Sequence, residues 1–356
     1  MADDIRNSQL WPGVPFALGS AVLFGASTPL AKLLLGTIDP IVLAGLLYLG
    51  AGASLLSWTG LRRIFQPAPD SLKIAKSDWP WLAGMVAAGG VAGPILLMLG
   101  LARSDAASAS LLLNLEGLAT MATAWIVFRE NVDRRLLIAA GAILVGAVLL
   151  SWTGRGLMLG SGALLIAGAC LAWGIDNNLT RHLSGLDPTL LVAIKGTVAG
   201  LVNLSLGLAR GAHLPSLEIS AGATIVGFFG YGLSIVLFVL ALRHLGTART
   251  GAYFSTAPFV GAVLSVVILG EPLTPLLAVA ALFMAAGVWL HVIERHEHEH
   301  LHEALEHTHS HVHDEHHRHR HEPADPLGEP HAHAHTHARL RHAHPHYPDL
   351  HHRHTH

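Results

Sequence analysis

Charge is scarce in this chain. Of 356 residues only 13% are Asp, Glu, Lys or Arg, about half the share of an ordinary globular domain, in which roughly a quarter is charged. Cysteine is almost missing too: Cys170 stands alone, which excludes a disulfide framework and any CxxC zinc or redox site. A formal net charge of -2 supplies no basic surface for nucleic acid. Apart from His291 at the end of the last of them, the long apolar stretches contain no histidine, so neither a soft-metal pathway nor a Ser/His or Cys/His hydrolase finds its usual side chains there, and no enzyme activity is expected.

What is present is apolar. Hydrophobic residues make up 51% of the chain and the mean hydropathy is +0.47. Composition changes near Arg295: residues 295–356 hold 23 of the 27 histidines. Before that point, a hydrocarbon core of about 30 Å asks for roughly 20 apolar residues per helix, and ten such stretches are read at 13–36, 38–60, 81–101, 106–128, 135–153, 158–180, 188–209, 219–242, 249–269 and 273–293. An all-α integral membrane protein of ten helices is therefore expected. The opening MADDIRNSQLWPG has no short apolar core with a small-residue cleavage site, so the first helix is expected to be retained.

Alternate connections differ in basic residues. One set carries eleven (Arg6, Arg62, Arg63, Lys73, Lys76, Arg129, Arg134, Arg135, Arg181, Arg243, Arg249) and the other three (Arg103, Arg155, Arg210). The positive-inside bias then puts both termini in the cytoplasm and the chain in the plasma membrane, with Trp11, Trp58, Trp79, Trp81 and Trp152 near the interfaces.

The chain also repeats itself. DPIVLAGLLYLGAG (39–52) aligns with DPTLLVAIKGTVAG (187–200), pairing Asp39 with Asp187, Pro40 with Pro188 and Gly52 with Gly200. Farther on, Glu130 meets Glu271 and Gly146 meets Gly287. Four segments follow: 1–12, a cytoplasmic start; 13–153 and 154–293, two five-helix repeats; and 294–356, a tail. An odd number of helices per repeat inverts the second copy, the design of secondary transporters with a midplane site.

Two five-helix repeats, each with a glutamate after its fourth helix (FRENVDRR at 128–135, LGEPLTP at 269–275), resemble EamA-type members of the drug/metabolite transporter superfamily over about residues 13–293. Pro258 upstream of GEPL follows that pattern; Gly117 and Arg129 in the first copy depart from it. The resemblance implies ten helices and transport, usually export, of a metabolite or drug.

An ionisable group at mid-membrane costs on the order of 3 kcal/mol and is by default functional. Glu116, beside Asn114, falls within the fourth helix and Lys195 within the seventh; their repeat partners are Ala257 and Leu47. A charge present in one copy only suits a task done once, such as coupling to a proton or cation, since a carboxyl withdrawn from water can load and release a proton. The alternative is a buried Glu116–Lys195 pair pinning two helices. Ser27, Thr28 and Pro29 align with Asp176, Asn177 and Asn178, which predicts interrupted first and sixth helices and a transport site there, or else a kink with interhelical amide bonds. Tyr231 and Tyr253 are candidates to line the pathway. Lys32, Arg181 and Arg249 read as interfacial anchors, Glu130 and Glu271 as structural or gating groups.

The tail has almost no apolar residues and is expected to be disordered. Its imidazoles suit Zn, Ni, Co or Cu: in HAHAHTH an extended chain puts His331, His333, His335 and His337 on one face, and in HEHEHLH, which also contains His296 and His300, a short helical continuation would place His298 and His302 together. The two HExxH matches in that segment arise from alternating histidines. Three functions stay open: a proton- or cation-coupled carrier of a small organic solute, working by alternating access; a divalent-metal exporter fed by the tail; and a membrane-anchored metal store or sensor.

Overall fold

A computed structural model describes residues 13–65, 74–128, 134–152, 159–183, 186–292, 297–302, 305–311, 331–337 and 340–345. Residues up to Val292 and those from Ile293 form separate compact units. The first unit is helical: α1 (Gly13–Leu34), α2 (Pro40–Phe65), α3 (Trp79–Met85), α4 (Gly93–Leu101), α5 (Ala106–Leu112), α6 (Leu115–Phe128), α7 (Arg134–Ser151), α8 (Ser161–Arg181), α9 (Pro188–Ala209), α10 (Leu217–Gly227), α11 (Ser234–Phe254, in which the chain turns at Gly246, φ 76°, between two spans), α12 (Ala257–Leu269) and α13 (Pro275–Val292).

Among the described residues, nine helical stretches are long and apolar enough to cross a bilayer, several of them composites such as Lys76–Leu101 and Ala106–Val127. The helix left out is α8. Its 21 residues would reach about 30 Å at 1.5 Å per residue, but Asp176, Asn177 and Asn178 lower its hydropathy. The polar cluster that hides this helix from a hydropathy count is the one that makes it interesting.

The aligned Asp-Pro pairs start equivalent helices in the same way. Asp39 accepts the backbone N–H groups of Ile41 and Val42 ahead of α2, and Asp187 those of Thr189 and Leu190 ahead of α9. The carboxylate caps free donors while proline occupies a first-turn position where its missing N–H costs nothing. These two helices then pack through small residues, Gly45 against Leu204, Gly52 against Gly196 and Thr197, and Gly200 against Leu49, the close approach that membrane helices use in place of a hydrophobic drive.

The same reciprocity joins α7 and α13. Gly146 lies on Ala280 and Met284, while Gly287 lies on Ala139 and Ile143; each contact is the other displaced by the 141-residue repeat offset. A pair in which i meets j and the equivalent of j meets the equivalent of i is what a twofold relation between the copies requires.

The expected interruptions of the first and sixth helices do not occur. Both α1, through Pro29, and α8, through Asp176 to Asn178, are continuous. Proline removes one donor, and Asn178 returns its side-chain N–H to Gly174 one turn back, so neither segment unwinds. The breaks lie elsewhere, again in matching places. The helix from α3 to α4 contains a π-helical segment at Val86–Ala92 and that from α10 to α11 one at Phe228–Leu233. The stretch α5–α6 is broken at Leu113–Asn114 and α11–α12 at Ser255–Thr256. At the two breaks equivalent side chains patch equivalent carbonyls: Asn114 Nδ2 donates to Leu111 O at 2.8 Å and Ser255 Oγ to Ala252 O at 2.7 Å.

The described segments of the tail pair as strands. Strands β1 (Glu297–His302) and β4 (Leu340–Pro345) pair antiparallel, as do β2 (Leu305–His311) and β3 (His331–His337). The cause visible in the sequence is its period of two, which suits an extended chain. The helical continuation expected to join His298 and His302 is replaced by β1.

Candidate functional site

The break at Leu113–Asn114 places Glu116 in the first turn of α6, where the free N–H groups and dipole of a helix start favour a carboxylate. Asn177 of α8 reaches it: Nδ2 donates to Glu116 Oε1 at 3.1 Å and to Thr120 Oγ1 at 3.1 Å. Asn178 Nδ2 donates to Thr120 O at 3.0 Å and Gly174 O at 2.8 Å. The helices approach this closely because Gly174 sits on the backbone of Ala119 and Thr120. Thr120, one turn beyond Glu116, had no signal in the sequence beyond its spacing.

Lys195 does not pair with Glu116. Its Nζ lies 2.7 Å from Asp176 Oδ2, with side chains 17% and 4% exposed, so the expected alternative of a Glu116–Lys195 pin gives way to an Asp176–Lys195 pin between α8 and α9. Thr180 also donates to Asp176 Oδ1, at 3.4 Å. Asp176 and Lys195 are thus engaged with each other. With those two cancelling, Glu116 is the uncompensated acid of the cluster.

The π-helical segment at 86–92 forms the floor under the ion pair. A side chain on Gly89 would fall on the Asp176 carboxylate, and one on Gly90 on Ala199 and Lys195. A π segment leaves carbonyls outside the ordinary helical ladder, and here other helices supply the donors: Tyr48 OH at 2.9 Å and Trp173 Nε1 at 3.0 Å to Gly89 O, Asn203 Nδ2 at 3.0 Å to Gly90 O. Sequence reading missed these residues; the mid-helix Gly-Gly and a tryptophan away from a helix end were the available signals.

Ser27, Thr28 and Tyr231 make no hydrogen bond to Glu116 among the described residues and belong to α1 and the second π segment. Ser27 Oγ donates to Phe24 O at 2.6 Å and packs on Gly230; Thr28 is buried. Tyr231 stands edge-on to Phe24 at 5.7 Å and faces Tyr48 at 5.9 Å, so Tyr48 joins the aromatic side to the polar one. Tyr253 does not take part: it packs with Ala17, Ala241 and Leu245. Asn114 repairs the helix break and touches Met284 Sδ at 3.9 Å instead of joining Glu116.

Asn177 is exposed although its neighbours Asp176 and Asn178 are buried. At 100° per residue, Leu164, Leu171 and Ile175, the exposed apolar residues of α8, fall within about 20° of one line, and Asn177 lies roughly 140° around from it. The amide therefore opens to a different space from the lipid-facing stripe.

A second group of contacts closes one end of the bundle. Glu271, from the loop before α13, accepts the backbone N–H of Ala106 at 2.7 Å and of Ala107 at 2.8 Å. Lys32 is not a free interfacial anchor: its Nζ donates to Leu101 O at 2.7 Å and Ser104 O at 2.6 Å. The α4–α5 turn is thus held by a cation on its carbonyl end and a carboxylate on its amide end. Glu130 and His296 lie outside the described residues. Among the described residues, no group of three or more His, Cys, Asp or Glu stands in metal-holding geometry.

Apolar helices with Leu, Ile and Val on their exposed faces and polar side chains gathered between them define a multi-pass membrane protein. Comparison with known proteins narrows this. The chain belongs to the EamA-like transporter family, whose model matches it twice, over residues 11–152 and 160–293. It is 28% identical over 298 residues to an uncharacterized transporter of Methanothermobacter thermautotrophicus, covering 79% of this chain and 86% of that one. A solved crystal structure, 18% identical and covering 78% of this chain and 95% of its own, has the same fold with a TM-score of 0.58.

Proposed function

We propose that this protein is a secondary active carrier of a small organic solute that crosses the plasma membrane ten times, as two inverted five-helix copies, with both termini in the cytoplasm. It works by alternating access and exports its solute, and Glu116 is the coupling carboxylate. The observation that carries this reading is the division of charge. Lys195 is committed to Asp176, while Glu116 is held by the neutral amide of Asn177 in the first turn of a broken helix. A carboxylate supported by a neutral donor can exchange a proton or cation without leaving a buried counter-charge behind. Matched irregularities in the third and eighth helices, and in the fourth and ninth, support movement of the copies about this site.

The test is Glu116→Gln in proteoliposomes, using a solute that raises the melting temperature of the wild-type protein. The variant should retain counterflow and lose uphill, gradient-driven accumulation. Uphill transport at the wild-type rate would refute the coupling role.

The tail is read separately, as a binder of divalent metal. Register favours it: His307 stands opposite His335, His309 opposite His333 and His311 opposite His331, while His298 faces His344 and His300 faces His342. Directly opposed positions of an antiparallel pair are about 5 Å apart at Cβ, a separation one metal ion can bridge. Zinc, nickel or cobalt as the transported species finds no imidazole or thiolate in the polar cluster of the helical unit, which among the described residues offers carboxylate, amide and hydroxyl groups.

A further inference from the structure

We infer that the transported solute presents a protonated amine to this site and that Glu116, Asn177 and Asn178 accept its N–H groups; this deepens the transport reading above and rests on it. The donors around Glu116 are engaged and the acceptors are not. Both Nδ2 hydrogens of Asn177 are used, on Glu116 and Thr120. Both of Asn178 are used, on Thr120 O and Gly174 O. The Thr120 hydroxyl donates to Glu116 O at 2.9 Å, and Tyr48 and Trp173 donate to Gly89 O.

The acceptors are not used up. Asn178 Oδ1 is buried and receives nothing, and among the described residues no donor reaches Glu116 Oε2 or Asn177 Oδ1. Turning either amide over would set its oxygen against a carbonyl or carboxylate, so these orientations follow from their partners. What the cluster lacks is therefore a donor, and with Glu116 ionised its charge is negative, since Asp176 and Lys195 cancel. An anionic solute would have to draw Lys195 away and leave Asp176 buried without a partner, which costs more than the new contact returns. An ammonium group meets the opposite balance: several oxygens stand ready to accept from it.

The experiment uses full-length protein in detergent at pH 8 and reads thermal stability against solutes built on butyl, cyclohexylmethyl and phenethyl skeletons, each ending in ammonium, trimethylammonium, hydroxyl or carboxylate. Ammonium members should stabilise the protein and the other three endings should not. In Asn177→Ala the dissociation constant for the best amine should rise about tenfold, the size of one hydrogen bond to a charged group, and in Glu116→Gln about a hundredfold, so that counterflow by that variant needs correspondingly more solute. Because Asn177 is exposed, its variant keeps the test valid if Glu116→Gln folds poorly. Stabilisation by carboxylates or alcohols, equal binding of trimethylammonium, no binding by any amine, or amine binding unchanged in both variants overturns the inference. The transport reading fails on a different result: an amine that binds in a Glu116-dependent way and yet shows no counterflow.

Discussion

Lys195 Nζ approaches Asp176 Oδ2 to 2.7 Å, directly over the glycines of the first π-helical segment. The pair connects α8 to α9 and neutralises two charges that would otherwise compete with Glu116. Removing one partner leaves a buried charge uncompensated, so Lys195→Met or Asp176→Asn should each destabilise by on the order of 3 kcal/mol. The double variant should recover most of that loss. Thermal unfolding in detergent checks it; additive losses in the double variant would mean the two side chains do not act as a pair.

Gly89 and Gly117 make opposite predictions. A methyl group on Gly89 meets the Asp176 carboxylate, whereas nothing lies within 4 Å of the one on Gly117. Gly89→Ala should cost about 1–3 kcal/mol by overpacking and displace the ion pair. Gly117→Ala should be neutral or gain up to about 1 kcal/mol from helix propensity. Melting temperatures of the two variants side by side decide it, and a stable Gly89→Ala protein would show that the floor under Asp176 is not tight.

Glu271 holds two backbone amides of α5 with one carboxylate. Glu271→Ala should cost about 2 kcal/mol, as expected for losing a charged cap with two hydrogen bonds. Lys32→Met removes the grip on Leu101 O and Ser104 O of the same turn. The two variants together should lose less than the sum of their separate effects, because once the turn is released by one the other has less to hold. Strict additivity in a double-mutant cycle would show that the two grips are independent.

Metal binding by the tail should weaken as pH falls. Imidazole binds metal only when neutral, and with an ordinary histidine pKa near 6.5 the ligands become protonated below that point. Zinc titration by calorimetry should therefore give tighter binding at pH 7.5 than at pH 5.5. Truncation after Val292 should abolish it and leave amine-dependent stabilisation intact, since the helical unit carries that site. Loss of amine binding on truncation would place the tail in the transport site.

Much of this protein is written in one dimension. A continuous apolar run of membrane length has few ways to satisfy its backbone other than helix, so the helical positions can be read directly, and the Asp-Pro and Gly146/Gly287 matches reveal the repeat because caps and close contacts need particular residues. The single-copy charges Glu116 and Lys195 were visible for the same reason: in so apolar a chain each one stands out.

Which of those charges meet was decided only by the tertiary structure. Lys195 could meet either Asp176 or Glu116 as far as the sequence shows, and the choice depends on how α8 rotates against α9, which is fixed by glycine contacts between helices far apart in the chain. The placement of the breaks has the same origin. Polar residues and Pro29 pointed to α1 and α8, but those helices stay continuous because their polar groups find partners, whereas α5–α6 and the first π segment give up regular hydrogen bonds where Asn114, Tyr48, Trp173 and Asn203 can replace them. A sequence lists the polar groups; only packing decides which backbone they complete.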